Sequence, residues 1–99
     1  MMNNADRQRI IDVFKRLATL CLELNHFWAA RDFCQFLTVL QSGQWNQLDQ
    51  AGRLFILAQL EGVLHFRTLG EVWPREYEAE YSLARTIVRE MQECERKAI

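Results

Sequence analysis

Two histidines, His26 and His65, and the glutamate one turn before the second, Glu61, are the residues whose types allow acid-base or metal chemistry. A zinc site needs neutral imidazole nitrogens and carboxylates converging about 2.0–2.2 Å from the ion. The chain offers no HExxH and no Cys-His cluster to bring that about. A Glu-His pair at spacing four arises readily on an exposed helix, so the expectation is no metal and no cofactor. Glycine-rich phosphate loops, nucleophile elbows and Ser-His-Asp orderings are absent as well. With no catalytic set in view, the chain is expected not to be an enzyme.

Charged residues raise two further possibilities. Glu80 falls within an otherwise apolar stripe shared with Ala84, Ile87 and Met91, so it is either solvated near a helix end or buried against a cation such as an arginine. Arg85, Arg89 and Arg96 line one side of the same helix, as a helix that reads a phosphate backbone would require. Glu78, Glu90 and Glu93 lie close to that row, which predicts a solvated, mutually paired face. Nucleic-acid binding through Arg85, Arg89 and Arg96 is therefore the alternative reading rather than the first one.

These residues must be positioned by helices. Apolar residues recur at spacings of three and four rather than two, and strand signals are nearly absent. The expected fold is all-α, a four-helix up-down bundle with helices over about 5–24, 26–41, 47–69 and 74–96 in a single domain spanning 1–99. Asn3 or Asn4 caps the first helix and Asp6 places a negative charge in its first turn. Ile10, Phe14, Leu17, Cys21 and Leu24 form its packing seam. Neither Gly nor Pro occurs between residues 5 and 42, so the first two helices can also be read as one continuous rod. A mean helix length of roughly 11–12 residues favours a break, and Asn25 is the residue that would cap the second helix.

The third helix is apolar nearly all round, with Leu48, Ala51, Phe55, Ala58, Phe66 and Leu69 on one face and Leu57, Leu60 and Leu64 on the other. That pattern predicts the innermost helix of the bundle, with Gly62 marking a close approach. Pro74 suits the first position of the fourth helix, whose Tyr77, Tyr81, Ala84, Val88 and Met91 make one seam; it is expected to lie outermost.

Composition narrows the classes. The 99 residues carry 12 basic and 13 acidic groups, a formal net charge of −1, which gives no bulk pull toward nucleic acid or anionic lipid. The longest apolar run, LFILAQLEGVLHF, is interrupted by Gln59, Glu61 and His65, so no membrane span is expected. Cys21, Cys34 and Cys94 are odd in number, widely spaced and set in apolar patterns, which suggests three reduced thiols and a cytoplasmic location.

The remaining anomaly is surplus apolar surface. On the second helix Phe27, Ala30, Phe33, Cys34, Leu37 and Leu40 make a core face, while Trp28 and Val39 fall on the opposite side among Arg31, Asp32 and Gln35. Helix ends meeting in an up-down bundle would also gather His26, Phe27, Trp28, His65, Phe66, Trp73 and Tyr77 at one end. Aromatics with polar handles are favoured at protein interfaces. Trp28, Phe36, Val39, Trp73 and Tyr77 are accordingly the candidate partner-binding residues. The expected function is a small protein-protein interaction module, an adaptor, inhibitor or assembly subunit, that binds a protein partner or a second copy of itself.

Overall fold

The computed structural model describes residues 3–65 and 78–97. Their helices are α1 (Asn4–Glu23), α2 (Phe27–Gln41), the single turn α3 (Gln44–Gln47), α4 (Gln50–His65) and α5 (Glu78–Lys97). The all-α up-down reading holds. The long helices close a ring in which α1 packs on α2 and α5, and α4 packs on α5 and α2. Among the described helices none is innermost, contrary to the expectation for the third segment.

Local chemistry explains each boundary. Asn3 caps α1, its side-chain oxygen accepting the Asp6 amide at 2.8 Å. The rod ends at Asn25, which adopts φ 61°, the left-handed conformation. The Asn25 amide donates to Leu22 O at 3.1 Å and the His26 amide to Cys21 O at 2.7 Å. This is the Schellman arrangement, which satisfies carbonyls left over at a helix end. Asn25 therefore marks the predicted break but stops α1 rather than capping α2; His26 is the N-cap residue of α2 and makes no side-chain cap bond.

The third segment departs from expectation. Gly43 at φ 81° opens α3, Leu48 is extended, and a new helix begins at Gln50. Asp49 caps it, with Oδ1 accepting the Gly52 amide at 2.7 Å and its carbonyl accepting the Arg53 amide at 3.0 Å. An expected helix start at 47 therefore becomes a turn plus a later start. Only one face of α4 is covered: Leu57, Leu60, Val63 and Leu64 are buried, whereas Ala51 and Ala58 are exposed and Phe55 is 65% exposed. A Cβ placed on Gly62 would meet nothing within 4 Å among the described residues, so none of the described helices approaches it closely. The expected stretch to Leu69 and the Pro74 helix start lie outside the described residues, as do Phe66, Trp73 and Tyr77.

The core is built on aromatic contacts. Phe14, wholly buried on α1, meets Phe33 at 5.6 Å between ring centroids and Phe36 edge-on at 4.9 Å. Phe36 in turn meets Trp45 of α3 edge-on at 5.8 Å. Such tilted and edge pairs add about 0.5–1.5 kcal/mol each beyond the area they bury.

A second tie is ionic. Arg53 Nη1 donates to Leu48 O at 2.5 Å and to Trp45 O at 3.5 Å, and Arg53 Nε lies 2.8 Å from Glu95 Oε1. That Nε contact is off the N–H direction, so it is a charge contact and not an aligned hydrogen bond. Gln50 Nε2 also donates to Glu95 O, so the α3–α4 corner is pinned to the end of α5.

The left-handed Asn25 gives a direct check. Asn25→Ala should lower stability by up to about 1 kcal/mol, because alanine bears in full the left-handed cost that the short polar side chain of asparagine partly offsets, measured as a lower urea midpoint with an unchanged slope.

Candidate functional site

α2 is rotated about its axis relative to the expected core face. Its buried residues are Ala29, Ala30, Phe33, Phe36, Leu37 and Leu40. At about 100° per residue this arc is turned roughly 50° from one centred between Phe33 and Cys34. Cys34 and Phe27 consequently leave the core, Phe27 being 61% exposed, while Phe36 enters it at 1%. This corrects the placement of Phe36 on a free binding face. The cause is aromatic complementarity: Phe36 finds Phe14 and Trp45, and no comparable partner is aligned with Cys34.

The same rotation leaves Trp28 48% exposed and Val39 half-buried. Between α2 and α4 a groove of about 490 Å³ opens, lined by Arg31, Asp32, Val39, Ile56, Gln59 and Leu60 among others, with Phe36 reaching its floor. Trp28 follows the row of Asp32, Gln35 and Val39 at helical spacing, and Phe55 follows that of Gln59. Cys34, Thr38 and Val39 are the small side chains that α2 sets along this seam, among Arg31, Asp32, Gln35 and Phe36. Thr38 turns its hydroxyl back to Cys34 O at 2.9 Å instead of reaching across.

The groove's edge carries one charge of each sign. Arg31 Nε lies 3.8 Å from Asp32 Oδ1, with the arginine largely exposed. Such a contact is worth little by itself.

The other candidate residues separate. Glu80 takes the second of its two expected settings, half-buried with Oε1 3.4 Å from Arg16 Nη1. Its Oε2 is buried with no hydrogen-bond partner among the described residues. No group of three or more His, Cys, Asp and Glu side chains suited to a metal ion is assembled among the described residues. No described helix is long and apolar enough to cross a membrane.

Arg85, Arg89 and Arg96 do share a site, a cleft between α4 and α5 that His65, Glu61 and Gln92 also line. The expected pairing of these arginines with neighbouring glutamates is absent among the described residues. Residues that sequence reasoning missed are Trp45, Arg53 and Glu95. Their roles depend on contacts across α3, α4 and α5 that no local spacing signals.

The three thiols differ. Cys21 is buried, and that burial, with Cys34 as the second cause, pushes its pKa up to about 12 from 9.0; Cys34 and Cys94 are exposed. At pH 8, two thiols per chain should react rapidly with a chromogenic disulfide and the third should wait for unfolding. Separately, Phe36→Ala should destabilise the fold by about 3–5 kcal/mol in urea titrations, whereas Trp28→Ala should cost less than about 1 kcal/mol. Comparison of the chain with protein-family models, with curated proteins and with solved structures finds no match.

Proposed function

We propose that the chain is a protein-protein association module whose partner is a second copy of itself, docked along the groove between α2 and α4. The observation that carries this reading is the apolar seam left open beside Trp28 and Phe55, which the monomer leaves in water. Contiguous exposed apolar surface of this kind, edged by polar residues, marks association sites.

Two features favour a second copy as the occupant. A groove edged by Arg31 and Asp32 is self-complementary, since a two-fold axis brings the cation of one copy to the anion of the other. Neither sign dominates, so the edge does not select a strongly charged partner. Area is the second feature. A stable interface covers about 800 Å² per partner, and the exposed parts of Trp28 and Phe55 supply about 250 Å² of that from aromatic rings whose full burial removes 150–250 Å² each. The groove walls extend the patch. Aromatic anchors surrounded by polar groups are the usual carriers of binding energy.

In this role the chain is an assembly subunit rather than a catalyst. Sedimentation equilibrium checks it. The wild type should show a reversible dimer, Val39→Asp should raise the dimer dissociation constant at least about ten-fold and Trp28→Ala by about ten- to thirty-fold, with about 1.4 kcal/mol per factor of ten. Both variants should keep their helical circular dichroism. A wild-type chain that stays monomeric up to millimolar concentration would overturn the reading.

A further inference from the structure

The cleft between α4 and α5 carries a second inference, independent of self-association. Arg85, Arg89 and Arg96 follow one another at spacings of four and seven, so they project from one flank of α5. All three line one concave site of about 250 Å³, opposite Glu61, Leu64 and His65 of α4.

The charges in this cleft do not cancel. None of the three guanidinium groups is in an ion pair among the described residues. Arg85 instead stands over the Tyr81 ring, 5.9 Å from its centroid, which steadies the guanidinium while leaving its edge N–H groups able to donate. The one carboxylate among the described lining residues, on Glu61, accepts a hydrogen bond from Gln92 Nε2 at 2.6 Å. Gln92 is the one buried polar residue among those described, 7% exposed between Val88 and the α4 face. It holds Glu61 at the side of the cleft. Among the described residues, a chain of net charge −1 therefore concentrates three arginines against one engaged carboxylate in a single small hollow.

We propose that this cleft binds the phosphate group of a small soluble phosphomonoester, or free phosphate itself. Arginine forks match phosphate oxygens in paired, charge-assisted hydrogen bonds, which is why unpaired arginines converging on a hollow indicate an oxyanion. Size sets the class. The cleft is smaller than the roughly 300–1,000 Å³ of drug-sized ligand sites, so it takes a phosphate head and a short substituent. A nucleic-acid strand would instead need a longer basic track, and Glu90 and Glu93 on α5 interrupt one.

Backbone amide shifts measured by NMR while the full chain is titrated with inorganic phosphate or glycerol 3-phosphate, at ionic strength held constant with sodium chloride, test this. Saturable shifts confined to residues 61–65 and 85–96 are expected. Arg89→Gln and Arg96→Gln, both on exposed positions that glutamine suits in a helix, should each weaken binding at least about ten-fold. Arg31→Gln in the α2–α4 groove should leave it unchanged. Tighter binding of the ester than of inorganic phosphate identifies an esterified ligand, and equal binding identifies the free ion; either supports the site. Shifts that never saturate, or that persist in both arginine variants, would overturn it. So would a mixed-sequence oligonucleotide that binds along α5 beyond the cleft while both phosphates fail to saturate.

Discussion

The ring of Phe36 decides which way α2 faces, and much else follows from it. Wedged edge-on between Phe14 and Trp45, it fixes the rotation of α2 against α1 and holds α3 beneath the end of α2. Two edge contacts and nearly complete burial outweigh what Cys34 could gain in the same place, because a phenyl ring removes far more apolar area from water than a thiol does. Once Phe36 points inward, helical geometry turns Trp28 and Gln35 outward and leaves Val39 half-buried at the margin of the core. The exposed row on α2 is thus a consequence of good packing on its other side.

The groove beside that row reflects how the ring of helices closes. α1 and α2 lock through phenylalanines, and α4 and α5 close with leucine, valine and isoleucine together with the Gln92–Glu61 contact. Between α2 and α4 the side chains are smaller and partly polar, so the seam stays open. The Arg53–Glu95 pair and the Gln50 bond hold the start of α4 against the end of α5. α4 accordingly borders an apolar groove on one side and an arginine-lined cleft on the other. The self-association proposed for one face and the anion binding proposed for the other both depend on α4 keeping a single register.

Much of the helical plan was legible in the chain. Asn3 and Asp6 read correctly as a helix start, because a cap is a local matter of one side chain and the next amides. Asn25 marked the break for the wrong reason: its short amide side chain suits the left-handed conformation that ends α1 as well as a cap that would begin α2. The turn at Trp45 and the new start at Asp49 were not legible, since the polar stretch around them carries no periodicity and its fate is set by a ring on α2 and a carboxylate on α5. On the candidate site, Trp28 was placed on the outer side from spacing alone, whereas Val39, expected there too, is half-buried against the core, and Phe36 lies at the edge of two arcs where spacing is ambiguous. Arg85, Arg89 and Arg96 read as a row, but a one-dimensional pattern does not reveal that α4 makes the row one wall of a hollow.

The most direct test of self-association through the α2–α4 face is an isotope-filtered NOE experiment on a mixture of labelled and unlabelled chains. Cross-peaks between the Trp28 indole or Phe55 ring of one chain and the Val39 or Ile56 methyl groups of another are predicted, growing in with concentration. Contradiction would be a spectrum at millimolar concentration with no interchain peaks at these four residues, their side chains remaining as open to water as they are in the lone chain.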